Sequence, residues 1–316
     1  MMGGVEDDKA TPSMEQLREC LLDRSQPIAK RTHSAFFLRT LGTADSVSAV
    51  CEALLVPTDS ALLRHELAYI LGQMQNETAC ETLEKVLADT SDDCMVRHEA
   101  AEALGAIGAD SSVPALERFA ADPAPEVSQT CELALDLIAW RRKQEVAAAT
   151  KGSEGSAKDT NPYLSVDPAP SCGADGGEGA EVEEGPEEMG KRLRDKNRTL
   201  FERYRAMFSL RNRGGEVAAL ELAAALRDED NSLFKHEVAY VLGQMQHPAT
   251  VSALGTVLAD LSEHQMVRHE AAEALGAIGG GEAETLLKSF MEDDVQAVKE
   301  SCEVALDTMD YWSARG

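Results

Sequence analysis

The sequence predicts an all-α fold, an α-solenoid of two duplicated halves with about four helical hairpins each, joined by a disordered acidic linker. Three observations carry this prediction. Ala and Leu are abundant while aromatic residues make up only 4% of the 316-residue chain, a composition that favours helices over sheets. Two long segments of the chain repeat each other. A shorter period, about the length of a two-helix unit, lies within each segment.

The duplication is read directly from the sequence. The segment that begins at His65 recurs from His236, and 29 of the 44 positions from 65 to 108 are identical in the second copy. Within each copy the dipeptide His-Glu returns after the same interval, at His98 and at His269. Because each hairpin of such a repeat buries its apolar face only against its neighbours, the two copies predict two short stacks of hairpins.

Each hairpin is predicted where two runs of apolar residues with helical spacing flank a polar break. In 77–89, Leu83 and Val86 lie on one helix face, and the second helix, 94–107, ends at Gly108 as a C-cap would. The same pattern predicts the other helices of the first half within 14–41, at 44–56 with 60–74, and at 111–121 with 126–140. In the second half it predicts hairpins at 188–213, 216–245, 249–278 and 282–311.

Small residues in the second helices are expected to let neighbouring helices approach closely. The Ala100–Ala101 pair and its copy, Ala271–Ala272, are examples. The glycines of the two LGAIG sequences are interpreted as helix ends and not as phosphate-binding loops, and they are Gly105, Gly108, Gly276 and Gly279.

The segment 144–190 interrupts every helical pattern. It is rich in Gly, Pro, Ser and acidic residues, a composition that buries too little apolar surface to become ordered. Its predicted role is that of a tether, so deleting most of 150–186 should preserve activity provided that the two halves can still meet. The predicted organisation is a disordered tail at 1–13, an N-terminal half at 14–143, a flexible acidic linker at 144–190 and a C-terminal half at 191–316.

Composition excludes several classes of function. The formal net charge of −26 argues against a nucleic-acid-binding surface, which needs clustered cations. The seven cysteines are scattered and form no C-x-x-C pair, which argues against a disulfide framework and a thiolate zinc site. We find neither a secretory signal nor a run of about 18 apolar residues, so we expect a cytoplasmic protein that has no membrane partner.

Four His-Glu pairs occupy equivalent positions, in the second helix of the two central hairpins of each half. Stacked helix axes lie about 8–10 Å apart, so such pairs can converge on a common point if the two halves face each other. The set can hold one or two metal ions, and two separate His-rich halves favour two. The pairs are His65-Glu66, His98-Glu99, His236-Glu237 and His269-Glu270.

The ligand types narrow the choice of metal. Imidazole with carboxylate and no thiolate suits Fe(II), Mn(II), Zn(II) or Ni(II) and disfavours Cu(I) and iron–sulfur clusters. Two irons would allow dioxygen activation, whereas two zincs would favour hydrolysis by activated water. The spacing of the residues does not choose between these two chemistries.

A purely structural role is the alternative interpretation of the pairs. His-Glu dipeptides are common in helices, and a duplication copies residues whether or not they function. The terminal hairpins argue against this alternative, because they carry Cys131-Glu132 and Cys302-Glu303 at the equivalent points. The pairs are therefore confined to the middle of each stack, where a shared site would lie.

Residues one helical turn after each His are also candidates. Neighbours i and i+1 point about 100° apart around a helix, so a His-Glu dipeptide chelates less well than residues four apart do. We interpret the residues at these positions as neighbours of the ligands, with direct metal contact as the less favoured alternative. They are Tyr69, Glu102, Tyr240 and Glu273. Three further histidines have no duplicate and are interpreted as surface or turn residues, namely His33, His247 and His264.

These contexts resemble a known family. The sequences RHELAYILGQMQ and KHEVAYVLGQMQ, each followed by MVRHEAAEALGAIG, are similar to those of deoxyhypusine hydroxylases, whose halves are built from HEAT-like hairpins. The resemblance covers about 25–141 and 191–311. It implies a di-iron monooxygenase that uses dioxygen to hydroxylate the deoxyhypusine residue of the precursor of eukaryotic translation initiation factor 5A. An acidic groove would attract such a polyamine-like cation.

The resemblance also implies roles for individual residues. All eight residues of the four pairs, His65, Glu66, His98, Glu99, His236, Glu237, His269 and Glu270, would form the site of two iron ions, with no catalytic residue beyond this centre. Among them, Glu66 and Glu237 would face the substrate. We expect a monomer that takes a protein substrate and no nucleic acid. Two alternatives remain open from the residues alone, a non-catalytic repeat scaffold that binds proteins and a dinuclear zinc hydrolase with the same ligands.

Overall fold

The computed structural model describes residues 12–151, 161–173, 184–227 and 231–313. Within these ranges the chain forms sixteen α-helices and no strand. The helices pair into eight antiparallel hairpins, four in each half, which confirms the predicted all-α solenoid of two duplicated halves. None of the helices in these ranges combines the length and the apolar character needed to cross a membrane.

The first half contains four hairpins. Short 3₁₀ turns precede α5 and α7, so the helix predicted over 77–89 begins only at Cys80. The helices are α1 (Met14–Leu22), α2 (Ile28–Leu41), α3 (Ala44–Leu54), α4 (Ala61–Met74), α5 (Cys80–Ala88), α6 (Cys94–Ile107), α7 (Val113–Phe119) and α8 (Pro125–Lys151).

The second half repeats this order. Its helices are α9 (Pro186–Arg194), α10 (Leu200–Arg213), α11 (Gly215–Ala225), α12 (Ser232–Met245), α13 (Val251–Ala259), α14 (Gln265–Ile278), α15 (Gly281–Ser289) and α16 (Gln296–Ser313). Local capping fixes equivalent helix starts in both halves. Ser60 accepts a hydrogen bond from the amide of Leu63 at the start of α4, and Asn231 accepts one from Phe234 at the start of α12.

The inner helices of each stack approach one another closely through glycines. The predicted helix end at Gly108 is confirmed, since this residue has φ 75° and follows α6. Gly105 and Gly276, however, lie inside α6 and α14, so their interpretation as helix ends is wrong. A Cβ at Gly105 would lie 2.6 Å from the Cβ of Ala134, and one at Gly276 would lie 2.5 Å from that of Ala305. Packing against the next helix therefore requires glycine here.

We expect Gly105→Ala to lower the free energy of unfolding by about 1–3 kcal/mol, because overpacking at this contact outweighs the better helix propensity of Ala. Gly281→Ala is a matched control, since no atom lies within 4 Å of its added Cβ. Urea denaturation of both variants measures the difference. A midpoint for Gly105→Ala equal to that of Gly281→Ala would contradict the close approach of α6 and α8.

A cation that precedes each His fixes the rotation of the inner helices. Arg64 donates to both carboxylate oxygens of Asp92 at 2.6 Å and to the carbonyl of Leu54 at 3.0 Å. Buried, bidentate pairs of this kind hold a helix in one orientation. The same position forms three further buried ion pairs, Arg97 with Asp122, Lys235 with Glu263 and Arg268 with Asp293. Each inner helix is thereby turned so that its His-Glu pair faces inward.

The two halves face each other across an approximate twofold axis. Helix α2 packs against α16, and α8 packs against α10 and α12. Ser60 donates to Glu300 at 2.5 Å, and Asn231 donates to Gln129 at 2.8 Å. These two contacts are duplicates of each other, because Asn231 is the copy of Ser60 and Glu300 is the copy of Gln129. The second helices of the central hairpins, α4, α6, α12 and α14, therefore surround the axis.

Part of the predicted flexible linker is structured. Helix α8 continues to Lys151, and residues 161–173, which we call the strap, lie against the folded halves with Ala169 fully buried. The composition of the linker predicted disorder because the linker contains few apolar residues. Composition gives no information on the hydrogen bonds that a short segment forms with distant parts of the chain. Residues 186–190, at the end of the predicted linker, belong to α9. The linker residues 152–160 and 174–183 and most of the predicted tail, 1–11, lie outside the described residues.

Candidate metal centre

Four imidazoles meet on the twofold axis, as the sequence predicts. The ring centroid of His65 lies 5.4 Å from that of His98, 5.6 Å from that of His236 and 5.1 Å from that of His269. The centroid of His236 lies 5.2 Å from that of His98 and 5.4 Å from that of His269. One histidine thus comes from each of the four inner helices, and all four are buried.

Carboxylates join the imidazoles across neighbouring helices. Oε2 of Glu99 on α6 lies 3.3 Å from Nε2 of His65 on α4, and Oε2 of Glu270 on α14 lies 3.3 Å from Nε2 of His236 on α12. These two contacts are duplicates. In each half, a His of one hairpin is therefore paired with the Glu of the next hairpin, in addition to its sequence neighbour in the His-Glu dipeptide. Glu66 remains beside its own neighbour, 3.1 Å from Nδ1 of His65.

Three groups of side chains bring candidate ligand atoms within 4.8 Å of one another. The first group joins the two halves, the second lies in the second half and the third lies in the first half. The third group includes Glu102, which the sequence analysis interpreted as a neighbour of the ligands. The groups are His65 with His98 and His236, His236 with His269 and Glu270, and His98 with Glu99 and Glu102.

The donor atoms fit a bound cation. Both ring nitrogens of His98, His236 and His269 are buried and have no hydrogen-bond partner among the described residues. A buried polar atom without a partner costs about 1–3 kcal/mol, so a structural role for this cluster would be costly. Imidazole nitrogens and carboxylate oxygens without a thiolate are the donors that borderline divalent metals take. The centre is therefore suited to a metal.

Burial sets the protonation of the histidines. It lowers the pKa of His98 well below its usual value, and the neighbouring His236 and His65 lower it further. Burial and the same kind of neighbours lower the pKa of His269. At His65 burial acts in the same direction, but hydrogen bonds to Glu66 and Glu99 outweigh it and raise the pKa. Neutral imidazole is the form that binds metals, so the environment of His98 and His269 favours ligation.

Burial raises the pKa of three carboxyl groups around the centre, whereas it lowers the pKa of histidines there. Burial is the largest cause that raises the pKa of Glu102, Glu237 and Glu273, and nearby carboxylates raise it further. Divalent cations in the centre would offset this repulsion and favour the ionised carboxylates. A small cavity, which we call the inner cavity, lies beside His65 and His236. Six acidic side chains border it, namely Glu66, Glu99, Glu102, Glu237, Glu270 and Glu273.

The predicted neighbours of the ligands all line this inner cavity of about 170 Å³. The hydroxyl oxygens of Tyr69 and Tyr240 lie 2.9 Å apart and so link the two halves next to the centre. Burial raises the pKa of both hydroxyls, which therefore stay protonated at neutral pH. Glu273 accepts a hydrogen bond from Ser301 at 3.0 Å.

A larger pocket of about 680 Å³ opens from the centre to the surface between α2 of the first half and α14 and α16 of the second. Five residues border both cavities and so form the passage between them, namely Phe36, Glu66, Tyr240, Glu270 and Glu273. The walls of this open pocket are mostly apolar, with Phe36, Phe37, Leu62, Ala277 and Val304 among them.

The three histidines without a duplicate stay outside the metal cluster. His247 lies at the start of a short 3₁₀ helix and His264 at the start of α14, and each caps the helix that follows it. His33 lies inside α2, is partly exposed and lines the open pocket. Its Nδ1 lies 3.5 Å from Asp307 and its ring centroid 5.8 Å from that of Tyr311, so it joins the two halves at the pocket.

Comparisons with known proteins agree with this architecture. A family model of HEAT repeats matches residues 47–136 and 203–307. Deoxyhypusine hydroxylase of Mus musculus is 46% identical over 302 residues, which are 96% of this chain and 93% of that protein. The Xenopus laevis enzyme of the same name is 48% identical and covers 94% of this chain and 91% of its own length. The chain belongs to the deoxyhypusine hydroxylase family.

The fold agrees with that of a solved family member. The structure of human deoxyhypusine hydroxylase in complex with glycerol superposes with a TM-score of 0.83 at 45% identity, and the match covers 94% of this chain and 96% of the human one. The resemblance of the His-Glu contexts to the deoxyhypusine hydroxylase family is therefore confirmed, as are the HEAT-like hairpins.

Several residues that shape the centre were missed in the sequence. The cations before each His recur at Arg64, Arg97, Lys235 and Arg268, and that recurrence was the available signal. The glutamines of the two LGQM sequences also recur, and both prove to contact the strap. Gln73 bonds to the backbone of Val166, and Gln244 donates to the hydroxyl of Ser165. The strap residues themselves carried no periodic signal.

Proposed function

We propose that this chain is a deoxyhypusine monooxygenase, an oxidoreductase that hydroxylates the deoxyhypusine residue of the precursor of eukaryotic translation initiation factor 5A. Membership of the deoxyhypusine hydroxylase family supports the reaction. The observation that carries the proposal to this chain is a cluster of four buried imidazoles that opens into one acidic passage. Three of these imidazoles have no hydrogen-bond partner among the described residues at either ring nitrogen.

The eight residues of the His-Glu pairs would hold two iron ions. The four histidines, with Glu99 and Glu270, are the best placed, because these carboxylates lie 3.3 Å from a histidine of the adjacent hairpin. Glu102 lies within reach of His98 and is an additional candidate. When bound, the two irons supply the activation of dioxygen that C–H hydroxylation requires.

The chain itself would bind and orient the substrate. Deoxyhypusine is a long side chain with positive charge, and the open pocket offers apolar walls for its methylene groups. Glu66, Glu270 and Glu273 stand where this pocket meets the centre. At an effective dielectric constant of about 20, one carboxylate 4 Å from a cation contributes about 4 kcal/mol of attraction. This attraction would offset the repulsion between the substrate amine and the metals.

The surroundings of the centre would keep bulk water from the reacting carbon. His98 and His269 have no solvent exposure, and the hydrogen-bonded pair Tyr69–Tyr240 covers the centre between the halves. Hydrophobic side chains at the pocket wall would position the substrate chain by packing. Excluding water also strengthens each charge interaction within the centre.

Metal analysis with a hydroxylation assay tests the proposal. We expect about two irons per chain after expression with added iron, and a mass increase of one oxygen atom in the deoxyhypusine-bearing protein, dependent on dioxygen. Two zincs without hydroxylation would support a zinc hydrolase. A protein that takes up no metal would be a scaffold. Either of these outcomes would contradict the proposal.

A monomer in the cytoplasm is the form in which we propose that the protein acts. The four inner helices of a single chain supply all the candidate ligands, so the centre needs no second copy. Light scattering after size-exclusion chromatography would measure the mass in solution.

A further inference from the structure

The open pocket has a duplicate on the other side of the metal centre. The twofold axis relates α2, α14 and α16, which form the pocket, to α10, α6 and α8. Positions in α12, α14 and α16 keep the same offset from their copies that separates His236 from His65. Gln244, Val304 and Thr308 therefore correspond to Gln73, Leu133 and Leu137.

In α2 and α10 the offset is larger by a single position, because the connection between α10 and α11 is one residue shorter than that between α2 and α3. Arg31 donates to the carbonyl of Leu21 at 2.8 Å, and Arg203 donates to that of Leu193 at 2.8 Å, which fixes this register. Three residues of the open pocket, His33, Phe36 and Phe37, therefore correspond to Arg205, Phe208 and Ser209.

The strap lies on these counterparts. Gln73 donates to the carbonyl of Val166 at 3.1 Å and accepts from its amide at 2.9 Å. Arg205 donates to the carbonyls of Pro170 at 3.3 Å and Ser171 at 3.2 Å. The hydroxyl of Ser209 accepts from the amide of Cys172 at 2.8 Å. Fully buried Ala169 shares a core cluster with Leu133 and Phe208.

Burial distinguishes the two sides. Phe37 is 41% exposed in the open pocket, whereas its counterpart Ser209 is 9% exposed. Leu137 is 3% exposed, whereas its counterpart Thr308 is half-buried. The strap contributes to this cover, because Cys172 donates to Ser209 and Ala169 packs in one cluster with Leu133.

Both halves hold the strap in place. Fully buried Arg211 donates to Asp167 at 2.8 and 2.5 Å and packs over the ring of Tyr163, 4.8 Å from its centroid. Gln73 belongs to the first half, and Arg211 and Gln244 to the second. A bidentate ion pair that excludes water gives this segment a fixed position.

We propose that the strap closes the second of two duplicated entrances to the metal centre, so that the substrate side chain enters only between α2 and α16. This inference rests on the proposed function, because it assigns the path of that substrate. The carboxylates at the open passage are Glu66, Glu270 and Glu273. Their counterparts, Glu237, Glu99 and Glu102, border the inner cavity and not the open pocket. The strap thus gives a duplicated centre a single direction of approach.

Blocking the open pocket tests the path. Thr308→Trp places an indole in the pocket, and Asp310→Trp is its control, because Asp310 is exposed on the same helix and does not line the pocket. On the metal-loaded protein we expect the dissociation constant of a deoxyhypusine-bearing peptide to rise at least about tenfold for Thr308→Trp, equivalent to about 1.4 kcal/mol. The control should stay within about twofold. Ala277→Trp, also at the pocket, replaces Thr308→Trp if that variant does not fold.

Opening the strap side tests the closure without a substrate. Residues 165–170 are replaced by six alternating Gly and Ser residues, alone and together with Thr308→Trp, and ferrozine then removes iron from each protein. We expect Thr308→Trp to slow the removal several-fold and the combined variant to restore at least the wild-type rate. Replacing 175–180 in the same way in the Thr308→Trp protein is the control and should leave the removal slow.

The outcomes separate this inference from the proposed function. If the wild-type protein does not bind the peptide, the proposed function fails. If it binds and Thr308→Trp binds equally well, the assigned path is wrong. A combined variant that releases iron as slowly as Thr308→Trp would show that the strap closes no entrance. Where the six-residue replacement unfolds the protein, Asp167→Asn takes its place in the same comparison, because it weakens the ion pair that holds the strap to Arg211.

Discussion

Replacing His98 by Ala is expected to reduce bound iron to at most one ion per chain and to abolish hydroxylation, while the helices stay intact. His98 has no solvent exposure, and its two ring nitrogens have no hydrogen-bond partner among the described residues, so the fold loses no hydrogen bond with the ring. The hairpins are held by interfaces between neighbouring helices and not by the centre. Metal analysis, the hydroxylation assay and far-ultraviolet circular dichroism measure the three effects.

His247→Ala is the control for this variant. His247 also has a structural role, accepting a hydrogen bond from the amide of Ala249, but it lies outside the metal cluster. We expect it to keep both irons and full turnover. If His98→Ala unfolds even when both proteins are compared free of metal, the histidine cluster is structural and the metal assignment fails.

Glu66→Gln and Glu237→Gln are expected to keep most of the iron and to lose binding of the deoxyhypusine-bearing protein. Each substitution removes one negative charge near the position of the substrate amine and preserves side-chain size. At 8 Å and an effective dielectric constant of about 20, one charge contributes about 2 kcal/mol, or about thirtyfold in the dissociation constant. Glu66 borders the open pocket, and Glu237 borders the inner cavity behind it.

Calorimetric titration and iron analysis distinguish the roles of the glutamates. Glu282→Gln is the control, since it makes the same change of charge at an exposed position of α15. Loss of iron with unchanged substrate binding would reverse the roles of Glu66 and Glu237 with respect to Glu99 and Glu270. If neither variant changes iron content, substrate binding or turnover, the interpretation of the His-Glu pairs itself is wrong.

Local sequence patterns were sufficient to predict the helical hairpins and to select the four histidines as candidate metal ligands. Apolar spacing predicted the helix 94–107, and the structure gives α6 the same bounds, because periodicity and capping act over a few residues. The duplication placed His65 and His236 at equivalent positions of the two halves. Because the halves pack against each other around a twofold axis, equivalent residues near that axis come together. The LGAIG glycines show the limit of such patterns. Gly108 caps a helix, whereas Gly105 is required because Ala134, a residue of the next hairpin, packs against it.

The sequence by itself determined the repeat architecture, the family and the residue types at the centre. Only the tertiary structure decided which carboxylate joins which imidazole, because the rotation of α4 depends on the ion pair between Arg64 and Asp92. It also decided that one of two duplicated entrances is covered. The strap is held by Gln73 and Arg211, which lie far from it in the chain, and contacts between such distant residues leave no periodic trace in a single sequence.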